Sequence, residues 1–163
     1  MEGVKREKNM KKRMLQIAQG MLLFANDVII LDKAWLGRTR KWEPLSKLYT
    51  SWIVQKRGNY WDIQPLLNLF LFSPMLFLLV GLFPDFFRKH KYVKALCIAF
   101  GCSLFIETAQ LISCLGTFQI SDLVYNTLSG AIGVWGYGIA VRLIPELDTS
   151  QMEESNGFLE KST

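Results

Sequence analysis

A single histidine, His90, and three cysteines, Cys97, Cys102 and Cys114, are the only imidazole and thiol groups in the chain. The cysteines share one apolar run, form no C-x-x-C pair and are odd in number. Neither a zinc site nor a disulfide framework is therefore expected, and they read as small packing residues. A P-loop, a G-x-S-x-G nucleophile elbow and an H-E-x-x-H helix are all missing. No metal or cofactor is expected, and no motif assigns a catalytic residue. RNA- and DNA-binding signatures are absent too. The formal net charge of +5 is accordingly not read as a nucleic-acid footprint. The basic start, Lys5 to Arg13, precedes a run carrying Gln16, Gln19, Asn26 and Asp27, with no small-residue cleavage site after it. That pattern fits an uncleaved first helix better than a signal peptide.

What the chain has in abundance is apolar length. Half of its 163 residues are hydrophobic and the mean hydropathy is +0.19. The apolar residues are bunched into runs rather than spread as amphipathic stripes. A helix needs roughly 20 such residues to cross about 30 Å of hydrocarbon, so little remains for a water-soluble core. The expected fold is an all-α membrane protein, a bundle of about four transmembrane helices. The spans are placed at about 14–31, 65–83, 92–115 and 123–144, between a frayed basic tail (1–13) and a polar C-terminal tail (145–163) with the composition of disorder. The first run is only 18 residues long, and an amphipathic helix lying on the surface is its alternative. Pro74 should kink the second span and free a carbonyl one turn earlier that needs a partner.

The connection from Asp32 to Gln64 holds Trp35, Trp42, Trp52, Tyr60 and Trp61 with seven of the 19 basic residues. Aromatic and basic residues beside apolar spans suit a membrane interface and anionic headgroups. A short flat helix around Pro44 to Lys56 is expected there, and Arg38 or Arg40 could lie over an aromatic ring. Lysine and arginine counts orient the chain only weakly. With four crossings, the N-terminal tail, the 84–94 loop and the C-terminus carry twelve positive residues against seven opposite. A three-crossing arrangement would instead gather the tail and first connection on one side.

Chemistry concentrates in the last two spans. Glu107 is a carboxyl in an apolar helix, placed eight residues from the expected helix end, roughly 12 Å deep. Such a group usually faces the bundle interior and has a partner. Ser103, Gln110 and Cys114 share its face at helical spacing. Asp122 and Asn126, four apart, open the next helix after a short turn, so the two helices must be antiparallel neighbours. Glu107, Gln110, Asp122 and Asn126 can then converge near one membrane face. Plainer readings stand beside this one: amides bonded across helices, Asp122 as an N-cap, Glu107 protonated or bonded to Asn126. Gly130 and Gly133 are expected to allow close helix packing, and His90 to be polar surface.

The stretch Leu104 to Tyr137, LFIETAQLISCLGTFQISDLVYNTLSGAIGVWGY, resembles the VanZ-like membrane proteins. Their signature is a Glu, a Gln three residues later, then D-x-x-x-N-T-x-x-G and a further glycine. Those positions here are Glu107, Gln110, Asp122, Asn126, Thr127, Gly130 and Gly133. Asn68 and Phe72 to Pro74 are similar to the family's N-x-x-x-F-x-P segment, and Trp42 to Leu45 is weakly similar to its N-L-x-P-F segment. The family's turn usually carries an Arg near Gly116, and acidic residues where Gln119 and Ser121 stand here. The resemblance implies a bacterial cell membrane protein, and the family's founding member is associated with low-level teicoplanin resistance.

Three functions follow as expectations. The first is an envelope protein that lowers glycopeptide access to its target. The second is an enzyme or carrier for an amphiphile such as a lipid-linked cell-wall precursor, with Glu107 as acid, base or binding group. The third is a structural subunit whose polar residues only hold helices together. Membrane lipids are the expected partners in each case, and nucleic acid is not.

Overall fold

The structure, a computed structural model, describes residues 2–35, 45, 48–49 and 52–147. Arg38, Arg40, Trp42 to Pro44 and the tail from residue 148 lie outside the described residues. The order is α1 (Glu2–Ala34), β1 (Gln55–Arg57), β2 (Tyr60–Asp62), α2 (Gln64–Leu71), α3 (Ser73–Leu82), α4 (Pro84–Phe87), α5 (Lys91–Ser113), α6 (Ile120–Leu143) and a 3-10 turn at Pro145–Leu147. The protein is all-α but for one small hairpin. Among the described residues, three segments are long and apolar enough to cross a membrane: Asn9–Ala34, Gln64–Leu82 and Lys91–Ser113. α6 is as long as α5, but serines, glycines, Asp122 and Asn126 dilute its apolar character.

α1 corrects the expectation of a frayed tail. The basic segment is helical from Glu2 onward, because Lys, Arg and Glu are good helix formers. Glu7 and Lys11 form an i,i+4 ion pair at 2.7 Å. α1 runs beside α3: Leu23 and Ile30 pack on the core, and Gln19 approaches Gly81.

The second span is broken as its proline requires. α2 and α3 meet at Phe72, with Pro74 in the first turn of α3. Proline has no N–H for the carbonyl four residues back, which is Phe70 O. The Ser73 hydroxyl donates to that oxygen at 2.9 Å. The Phe72 N–H, displaced from regular helix bonding, donates to Ser129 Oγ on α6, also at 2.9 Å.

The expected flat helix ending near Lys56 is not what the described part of that connection forms. Lys56 pairs with Trp61 and Arg57 with Tyr60 in an antiparallel hairpin. Its two-residue loop is Gly58-Asn59, with Gly58 at φ +61°. That left-handed first position is the geometry a tight hairpin turn demands and glycine supplies. The connection also folds over the start of α6. Leu48 O accepts the Ile120 N–H at 3.2 Å, and the Tyr125 hydroxyl donates to Trp52 O.

α6 is the centre of the bundle, packing on α5, α3 and α2. The core around it includes Phe72, Leu76, Ala95, Ala99 and Val134. Outward-facing residues of α5 such as Phe105 and Ile112 are large, apolar and exposed. That is the inverse of a water-soluble surface and suits hydrocarbon.

Candidate functional site

The inward face of α5 is polar at helical spacing. Ser103, Glu107 and Gln110 are all buried, at 0%, 3% and 1% exposure. α6 presents Asp122, Asn126 and Ser129, buried as well. Between the helices Cys114 adopts a left-handed conformation, at φ +55°. The Leu115 N–H then bonds back to Gln110 O at 3.1 Å, a Schellman-type stop. α5 therefore ends at Ser113, six residues past Glu107, which is about 9 Å along the axis. The turn doubles back over this end, and the Gln119 N–H donates to Glu107 Oε2 at 2.9 Å.

The remaining polar partners are specific. Gln110 Nε2 donates 2.9 Å to Ala34 O and so caps the end of α1, not α6. Asn126 Nδ2 donates 3.0 Å to Ser103 Oγ, which corrects the reading in which Glu107 is its partner. Asp122 is not the N-cap either; Gln119 occupies that position and Asp122 sits in the first helical turn. There the helix dipole favours a carboxylate.

These residues line one cavity of about 760 Å³. Its walls come from α1 (Asn26, Lys33, Ala34), the hairpin end (Asp62), α2 (Gln64, Asn68), α5 (Glu107, Gln110), the turn (Gly116, Thr117, Gln119) and α6 (Asp122, Asn126). The structure thus gathers all four expected polar residues, with Pro74 on the rim. Gly130 and Gly133 stand elsewhere, at helix contacts. A Cβ at Gly130 would lie 2.8 Å from Ala99 Cβ, and one at Gly133 2.4 Å from Ser73 O.

Four polar atoms on the cavity residues have no protein partner among the described residues: Asn126 Oδ1, Asn26 Nδ2, Asn68 Nδ2 and Gln119 Oε1. Asn68 does use its oxygen, accepting from Gln64 Nε2 at 3.1 Å. Each unmet buried group costs about 1–3 kcal/mol, so a bound molecule or water is the natural complement. Among the described residues, no three His, Cys, Asp or Glu side chains come together as a metal site would require. Among the described residues, no histidine, cysteine or serine lines the cavity beside a base. The arrangement suits recognition by hydrogen bonds in a low-dielectric setting, where such bonds are strong.

The VanZ/LLP1 family profile matches residues 15–141. The chain belongs to the VanZ/LLP1 family. No curated protein and no solved structure matches it. The match runs from the first helix to the last turns of α6, so it covers every helix that lines the cavity. Where VanZ-like turns usually carry acidic residues, this member places Gln119 on the cavity wall and buries Ser121 completely. Gln119 Nε2 bonds Thr117 Oγ1 at 3.3 Å. Polar neutral groups thus stand where charge is usual in the VanZ/LLP1 turn.

Sequence reasoning missed several members of the site. Asn68 enters there only through its similarity to the N-x-x-x-F-x-P segment, although a polar side chain in an apolar run is itself a signal. Lys33, Asp62 and Gln64 sit at helix and hairpin ends, and no local pattern marks them. Ser129, one turn beyond Asn126 and outside the cavity lining, accepts the N–H released at the break before Pro74, and nothing in the sequence marks that role.

Proposed function

We propose that this VanZ-like membrane protein is a multi-pass protein of the bacterial cell membrane whose cavity holds the polar end of a membrane amphiphile. A lipid-linked cell-wall precursor is one such molecule. By engaging it, the protein lowers susceptibility to glycopeptides such as teicoplanin. The observation that carries the reading is the cavity itself: polar groups from α1, α2, α5 and α6 converge in an otherwise apolar bundle, with unmet donors and acceptors on its lining residues.

Topology supports the same reading. The ends of α1 and α5 and the starts of α2 and α6 all line the cavity, so they share one face of the bundle. The opposite face carries the N-terminal tail, the 84–94 loop and the end of α6, eleven Lys and Arg residues against seven in the connection from Asp32 to Gln64. The positive-inside rule favours a cavity on the outer side, where glycopeptides act.

A purely structural role has its own support in the bonds from Gln110 to Ala34 and from Asn126 to Ser103. Glu107 separates the two. In a teicoplanin-sensitive host, the wild-type chain should raise the inhibitory concentration. Glu107→Gln, which can still accept the Gln119 N–H, should keep most of that increase, and Glu107→Leu should lose it at equal abundance and melting temperature. No increase with abundant wild-type protein, or full activity in Glu107→Leu, would overturn the proposal.

A further inference from the structure

A second cavity, of about 420 Å³, lies beside the polar one and is lined by Leu22, Ser73, Phe77, Ile132, Gly133 and Gly136. Its lining is almost wholly apolar. Asn26 and Pro74 line both cavities, so the two spaces adjoin at the broken segment between α2 and α3. Leu22 is 60% exposed, which puts the apolar cavity at the lipid-facing side of α1. Gly136 leaves it open: a Cβ there would find its nearest neighbour, Phe77 Cδ2, only at 3.8 Å.

We infer that the apolar cavity holds the hydrocarbon tail of an amphiphile whose head, an uncharged hydroxyl-rich group such as a sugar or polyol, occupies the polar cavity. This rests on the amphiphile-binding reading above. Continuity assigns the tail. A molecule with its head among Glu107, Asn68 and Asn126 must send its chain into hydrocarbon, and the passage past Asn26 and Pro74 adjoins that site directly. Hydrogen-bond polarity assigns the head. The unmet groups are two donors, Asn26 Nδ2 and Asn68 Nδ2, and two acceptors, Asn126 Oδ1 and Gln119 Oε1. A phosphate ester dianion only accepts and an ammonium only donates, whereas neighbouring hydroxyls do both. Among the described residues the lining also holds three carboxyl side chains, Asp62, Glu107 and Asp122, and one ammonium, Lys33.

The test uses the full chain in phosphatidylcholine nanodiscs with a monoacyl glucoside carrying a diazirine midway along its acyl chain. Binding is read by native mass spectrometry, and adducts are mapped after irradiation. The inference expects one retained glucoside per chain, adducts on Leu22 and Phe77, and no displacement by excess phosphatidic acid. Gly136→Leu should remove those adducts while the chain melts as wild type does. Retention of the glucoside with adducts only on outward-facing residues such as Phe105 and Ile112 would refute the tail route and leave the polar-cavity reading standing. Displacement by phosphatidic acid would refute the head assignment. Failure to retain the glucoside, while the protein holds a lipid with another head, would overturn this inference alone. Retention of no amphiphile at all would overturn both readings.

Discussion

Gly133→Ala is the substitution whose cost the structure makes most explicit. The added Cβ would stand 2.4 Å from Ser73 O, 3.0 Å from Leu76 Cβ and 3.1 Å from Phe77 N. Carbon–oxygen contacts settle at about 3.3–3.6 Å, so α3 and α6 must separate by about 1 Å. Two of the three obstructing atoms are backbone and cannot swing aside. Overpacking of this kind typically costs about 1–3 kcal/mol. The Phe72 N–H to Ser129 Oγ bond, at 2.9 Å, spans the same seam and stretches with it, which threatens about 1–3 kcal/mol more. Alanine returns about 1 kcal/mol of helix propensity over glycine. The net expectation is a loss of about 1–5 kcal/mol by these principles. Gly136→Ala, one helical turn on, meets only ordinary contact at 3.8 Å and should be neutral or slightly stabilising. The assay is reversible unfolding of both variants in mixed micelles. A Gly133→Ala variant within about 0.5 kcal/mol of wild type, the range of an unremarkable surface change, would refute the close-packing argument.

Four further outcomes are expected. Ser129→Ala leaves the Phe72 N–H without its acceptor, so unfolding in the same micelles should show a loss of about 1–3 kcal/mol. Gln110→Leu removes the cap on Ala34 O, and hydrogen exchange should quicken in the last turn of α1 while α6 is unchanged. His90 begins α5 at φ +56°, a conformation costing a side chain roughly 1–2 kcal/mol; His90→Gly should raise the melting temperature. A cysteine at Lys89, in a chain without the three native cysteines, should resist an impermeant maleimide on intact cells, and efficient labelling would invert the proposed topology.

The sequence made the inner face of α5 legible because Ser103, Glu107 and Gln110 interrupt an apolar run at helical spacing, and polar groups in such a run turn inward. Asp122 and Asn126 could be set opposite them because a six-residue turn leaves the two helices no arrangement but an antiparallel one. Pro74 fixed the site of the break, and chemistry required a new donor for Phe70 O, though not that it would be Ser73. Partner choice was harder to read. Gln110 bonds Ala34, 76 positions away, and such a pairing depends on how α1 docks. The hairpin was missed despite a local signal, since Gly58-Asn59 between two short runs is a tight-turn pair; the tryptophans and lysines around it drew an interfacial-helix reading instead. The helical N-terminus carries no hydrophobic signal, because Glu2 to Arg13 is helical by propensity and the Glu7–Lys11 pair.

The claim that the cavity holds the polar end of a membrane amphiphile is tested most directly by what the protein carries out of its own membrane. The chain should be released in a mild detergent and analysed intact by native mass spectrometry, with any bound lipid identified by fragmentation. The account predicts a defined lipid retained at one per chain by wild type and Glu107→Gln, and lost from Glu107→Leu and Asn126→Leu proteins that still melt cooperatively. Bare wild-type protein, or the same mixture of bulk lipids on every variant, would contradict it.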